Sequence, residues 1–90
     1  MSKKANKRAV VQEIVEKWNP EKLEASNLGL YDSAINDVAE NFDPILSNND
    51  KLGNLIRDVF DSYYGLGNYS YEDCIRIASE ILQEYRKRYN

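Results

Sequence analysis

The chain has 90 residues, 42% hydrophobic and 30% charged, with a formal net charge of −3. These values fit one folded globular domain spanning 1–90 and exclude a disordered chain. A single cysteine excludes an internal disulfide, and with no histidine beside it neither a zinc site nor a Cys–His nucleophile can be assembled.

The first segment with helical periodicity runs from about Ala5 to Trp18, with Val11, Ile14, Val15 and Trp18 spaced i, i+3, i+4, i+7. The basic residues before it are expected to fray over about 1–5. Asn19-Pro20 ends the helix, because the residue before a proline is pushed out of the α region. Residues 19–30 read as a connection in which Glu21 to Ala25 could form a short helical turn. The second helix is expected from Asp32 to about Ser47, with Tyr31, Ile35, Val38, Phe42, Ile45 and Leu46 on one face. Pro44 predicts either a kink near 41–43 or a stop there, with a short turn starting at the proline. Ser47 to Asp50 is rich in capping residues and breaks the chain. A third helix from about Lys51 to Tyr64 carries the cleanest stripe: Leu52, Leu55, Ile56, Val59, Phe60 and Tyr63. Gly65 suits the left-handed position that closes a helix. A fourth helix opens on Ser70, which with Asp73 resembles a capping box. Its apolar face is Cys74, Ala78, Ile81, Leu82, Tyr85 and Tyr89, flanked by Ile75, and it ends in Arg86, Lys87 and Arg88, which complement the helix dipole. No segment alternates like a strand. The fold class expected is all-α: a compact four-helix bundle or an irregular four-helix array.

The charge is unevenly spread. Lys3, Lys4, Lys7 and Arg8 open the chain and Arg86, Lys87 and Arg88 close it, while residues 9–85 hold all 15 acids against five bases, a net −10. An acidic body argues against nucleic acid as a partner and favours a basic or neutral protein. No apolar run approaches the roughly 20 residues of a membrane span, and no secretory leader fits the start, so the expected setting is cytoplasmic without a membrane partner.

Catalytic chemistry is sparse. The missing histidine removes the commonest general base and metal ligand. Gly65-Leu66-Gly67 follows a helix rather than opening one after a strand, so it fails the context of a phosphate loop. Asp37, Glu40 and Asp43, and separately Asp58 and Asp61, share helix faces and are the remaining candidates for an oxygen-ligated cation, although a solvated helix face accounts for both sets. Cys74 lies on an apolar stripe and reads as a buried structural thiol. No catalytic residue, cofactor or metal is expected, and the chain is read as a non-enzyme.

Seven tyrosines are the distinctive feature. Tyr63 and Tyr85 fall in phase with their stripes and are expected in the core. Tyr64 and Tyr69 fall out of phase or in a loop. With Asp58 and Asp61 they form the candidate partner-binding set, because tyrosine is enriched at protein interfaces. Trp18 is expected to pack into the core with its indole N–H near the surface.

Val15-Glu16-Lys17-Trp18-Asn19-Pro20, Leu30-Tyr31-Asp32 and Tyr71-Glu72-Asp73-Cys74-Ile75-Arg76-Ile77-Ala78 together resemble the YugE-like family of small bacterial proteins. The resemblance covers about residues 9–85 and departs from the family pattern at Asn19, where aspartate is usual. It implies a compact four-helix fold in the bacterial cytoplasm and brings no catalytic residues with it. The function expected is a small protein-interaction module, with a homodimer as one arrangement. An immunity protein or antitoxin that neutralises a basic nuclease is the alternative, and a carboxylate-only enzyme the third.

Overall fold

The computed structural model describes residues 3–89, and the side chains from Asn6 onward. It contains four α-helices, α1 (Lys3–Trp18), α2 (Asp32–Asn41), α3 (Asn49–Tyr64) and α4 (Tyr71–Tyr89), with a 3-10 helix at Ala25–Tyr31 leading into α2. Among the described residues there is no strand, so the all-α four-helix array expected from periodicity is the fold observed. No described helix is long and apolar enough to cross a membrane. The backbone at residues 3–5 is already helical, so α1 starts earlier than expected; Met1 and Ser2 lie outside the described residues.

α1 keeps its register to Trp18 and stops where Asn19 turns into the left-handed region, φ 43°. Asparagine tolerates that conformation better than most side chains. Its amide then holds the connection together. Oδ1 accepts from the Leu23 N–H at 2.9 Å and from the Tyr31 hydroxyl at 2.8 Å, and Nδ2 donates to the Leu23 carbonyl at 2.8 Å. The 3-10 helix follows at 25–31, later than the turn anticipated at 21–25.

α2 ends at Asn41, with Phe42 extended at φ −125°, ψ 152°. This is the early stop before Pro44, and a turn spans residues 44–46. The expected continuation to Ser47 is therefore corrected, and so is the placing of Ile45 and Leu46 on the buried stripe. The pre-proline restriction at Asp43 removes them from the helix register. Asp43 stabilises the turn instead, its Oδ1 accepting from the Ile45 N–H and its carbonyl from the Ser47 N–H, both at 2.8 Å. The turn holds Ile45 and Leu46 out, 72% and 74% exposed.

Asn48 caps α3 by accepting the Lys51 N–H at 2.8 Å, and Ser70 caps α4 by accepting the Asp73 N–H at 3.1 Å. Between them Gly65 leaves α3 at φ 107°, a region glycine alone enters freely, and Asn68 Nδ2 covers the freed carbonyls of Tyr64 and Gly65.

Two pairings set the shape. α1 and α4 run antiparallel, for Trp18 and Ile77 line one stretch of the groove between them, Lys17 and Glu80 the next, and Arg88 bonds Glu13 at 2.8 Å. α3 meets α4 at Gly53, where an added Cβ would lie 3.2 Å from the Ile75 Cα and would overlap the Ile75 side chain. The glycine is what lets these helices touch. Gly53→Val is expected to lower stability by about 2–3 kcal/mol through overpacking. Chemical denaturation should show it, and a further Ile75→Ala should recover part of the loss. Equal stability of Gly53→Val and the parent would contradict this contact.

Candidate functional site

Twenty apolar residues form one core, drawn from all four helices and the connections. At the end of the molecule where α1 stops, this core becomes aromatic. Phe60, fully buried, has Trp18 at 5.3 Å, Tyr64 at 5.4 Å, Tyr69 at 5.5 Å and Tyr31 at 6.3 Å between ring centroids. The rings are tilted or edge-on to one another, the arrangements that ring quadrupoles favour. Each tyrosine finds a polar partner for its hydroxyl: Tyr69 on a Glu21 carboxylate oxygen, Tyr31 on Asn19, and Tyr64 on the Leu30 carbonyl at 3.1 Å.

This geometry corrects two assignments. Tyr69 is buried, 5% exposed, although it lies in the turn before α4. Its ring closes over Phe60 and against Trp18 at 5.9 Å, so its apolar body gains more from the core than from solvent. Little of its ring is left at the surface. Tyr63, expected in the core, is 45% exposed. It flanks the stripe on the side of α2, and its hydroxyl donates to Asp37 Oδ2 at 2.6 Å. Trp18 is half-buried and Tyr85 buried, as their phase implied.

Tyr64 is half-buried and marks the rim of a surface. Beside it lie Tyr63, 6.1 Å between centroids, and Leu30, 65% exposed, whose carbonyl the Tyr64 hydroxyl holds. Leu66, 85% exposed, follows two residues later, within about 7 Å along the chain. An aromatic and aliphatic face thus forms from the end of α3, the turn after it and the end of the 3-10 helix. Sequence phase did not reveal it, because Leu30 and Leu66 come from two connections that only the tertiary fold brings together. Large apolar residues exposed in a group mark interaction surfaces.

The paired aspartates go elsewhere. Asp58 is exposed on α3. Asp61 turns toward α4, where it and Arg57 act electrostatically on Cys74, and its Oδ1 is buried without a hydrogen-bond partner. Of the four residues proposed from sequence, Asp58 is exposed, Asp61 and Tyr64 are half-buried and Tyr69 is buried. Among the described residues, no group of three acids or thiols is arranged to hold a metal ion.

Burial sets the titration behaviour. Desolvation raises the Tyr64 phenol to about 12, and it raises the Cys74 thiol to about 11 against a smaller opposing pull from Arg57. Tyr69 is raised further, by desolvation first and then by its bond to Glu21. The Asp37 hydrogen bond is the main cause of the rise at Tyr63. None of these groups is poised near neutral pH, where a general acid or base works best. A protonated, buried thiol is likewise a poor nucleophile.

A groove of about 350 Å³ lies between α1 and α4. Its floor is Ile14, and its walls hold Glu13 and Glu84, both bonded to Arg88. It is open and its acids are occupied, unlike the enclosed apolar pockets that take small ligands.

No protein-family model, no curated protein and no solved structure matches this chain, and its resemblance to the YugE-like proteins rests on the three quoted stretches alone.

Proposed function

We propose that the chain is a non-catalytic protein-interaction module whose contact face is formed by Leu30, Tyr63, Tyr64 and Leu66. The carrying observation is the exposure of two leucines and a tyrosine side by side around a hydrogen-bonded, half-buried Tyr64. Such a patch costs solubility unless something covers it. Its aromatic members rest on the rigid Phe60 cluster, so little side-chain entropy is lost on docking. Asp37 on the Tyr63 hydroxyl and the net −10 of residues 9–85 favour a basic partner surface. A bacterial cytoplasmic setting agrees with the single free thiol of Cys74.

The test is affinity capture from a lysate by the parent chain and by Leu30→Ser with Leu66→Ser. Both leucines are exposed, so the double variant is expected to fold normally. A partner held by the parent and lost by the variant supports the reading, and a basic nuclease in that role would narrow it to immunity. Equal capture by both proteins overturns this face as the site.

A further inference from the structure

The tyrosine face carries a charge pattern that narrows what can cover it, and the inference drawn from that pattern rests on the preceding reading of the face. A row of contacts runs through it. Asp37 holds the Tyr63 hydroxyl at 2.6 Å, and the Tyr63 and Tyr64 rings lie 6.1 Å apart. Tyr64 meets Tyr31 edge-on at 5.8 Å, and the Tyr31 hydroxyl accepts the Glu21 N–H at 2.8 Å. The row thus begins and ends on an acidic residue, one on α2 and one just after α1. Asp37 Oδ2 takes the Tyr63 hydroxyl and Glu21 Oε2 takes the Tyr69 hydroxyl. Among the described residues, neither second oxygen carries a hydrogen bond and neither carboxylate is paired with a lysine or arginine.

The phenols report the same surroundings. After the Asp37 hydrogen bond at Tyr63 and desolvation at Tyr64, the groups that act on them are carboxylates and neighbouring phenols, with no base among them. The α1–α4 groove is the contrast, for there Glu80 is paired with Arg76, and Glu13 and Glu84 with Arg88. An open carboxylate beside an exposed ring selects among cations. The ring face attracts positive charge through its quadrupole. A planar guanidinium can lie on that face while its N–H groups reach the carboxylate beside it, whereas the compact, strongly hydrated ammonium of lysine has no flat surface to stack. Leu30, 65% exposed with its carbonyl on the Tyr64 hydroxyl, supplies apolar surface for an aliphatic stem.

We propose that the partner covering this face is a protein segment that presents arginine, with a guanidinium stacked on the Tyr63 ring and paired with the open oxygen of Asp37. Glu21 adds attraction at the other end of the row. Arginine in place of lysine is the distinguishing feature of the segment.

Fluorescence anisotropy tests it, with labelled, end-capped oligoarginine and oligolysine peptides of equal length at low salt. The parent chain is expected to bind oligoarginine several-fold more tightly than oligolysine. Asp37→Asn should weaken oligoarginine binding about three- to fivefold, the worth of an exposed ion pair. Tyr63→Leu should weaken it by about the same factor through loss of the cation–ring contact. Tyr63→Phe should bind as the parent does, because the ring stays and Asp37 is left open. Glu80→Gln removes the same charge from α4, which does not pack on α2, and should also bind as the parent does. Circular dichroism confirms that each variant is folded. Absent binding, equal affinity for the two peptides, indifference to Tyr63→Leu, or equal losses in Asp37→Asn and Glu80→Gln overturns the proposal. So does a dimer of the chain alone in sedimentation that Leu30→Ser with Leu66→Ser abolishes. Lysate capture that the leucine variant loses, with no preference for arginine, keeps the contact face and removes only its arginine partner. Equal capture by both proteins with no peptide binding removes both.

Discussion

Phe60→Ala is expected to lower the unfolding free energy by about 3–5 kcal/mol, the cost of deleting a buried aromatic ring and leaving its cavity. The upper half of that range applies, because four rings lean on Phe60 and none can follow it inward. Trp18 is pinned by the end of α1, and the Tyr31 and Tyr69 hydroxyls are tied to Asn19 and Glu21. The free energy of folding for a chain of this size is itself about 5–15 kcal/mol, so much of the margin would go. Urea titration should show a midpoint shifted far down with little change in slope. A loss below about 1 kcal/mol would mean that the aromatic end repacks freely. It would also remove the argument that Tyr63 and Tyr64 sit on a rigid base.

Asn19→Ala is expected to cost roughly 3 kcal/mol. The side chain makes three hydrogen bonds, each worth about 1 kcal/mol net. Alanine at φ 43° would add about 1 kcal/mol of strain, offset where water reaches the freed groups. Asn19→Asp separates the contributions. Aspartate keeps both acceptor bonds, to the Leu23 N–H and the Tyr31 hydroxyl, but turns an oxygen toward the Leu23 carbonyl. It is expected to cost about half as much as alanine. Thermal unfolding of both variants checks the order, and an aspartate variant less stable than the alanine one would contradict this account of the hub.

The helices were legible because each has its own apolar stripe and its own end signals. Asn48 and Ser70 cap as their residue types suggest, Asn19-Pro20 and Asp43-Pro44 interrupt as pre-proline residues do, and Cys74 is buried where its stripe placed it. What sequence could not give is the fate of residues near element ends. Tyr69 belongs to no helix, so phase says nothing about it; Trp18 and Glu21 from another segment decide its burial. Tyr63 is in phase with a stripe wider than the face that α2 covers, and so it emerges. Ile45 and Leu46 match the α2 period, but the helix ends before reaching them. The candidate face and the pairing of α1 with α4 share one cause of invisibility. Leu30 meets Tyr64, and the first helix meets the last, across separations that local pattern does not encode.

The meeting of the first and last helices also bears on how the chain reaches this state. Contacts between distant residues must first meet the entropy of closing the long loop between them, and chains rich in such contacts fold more slowly than their helix content suggests. Here neighbouring helices can pair through their connections, but the core between α1 and α4 closes only when the first and last helices meet.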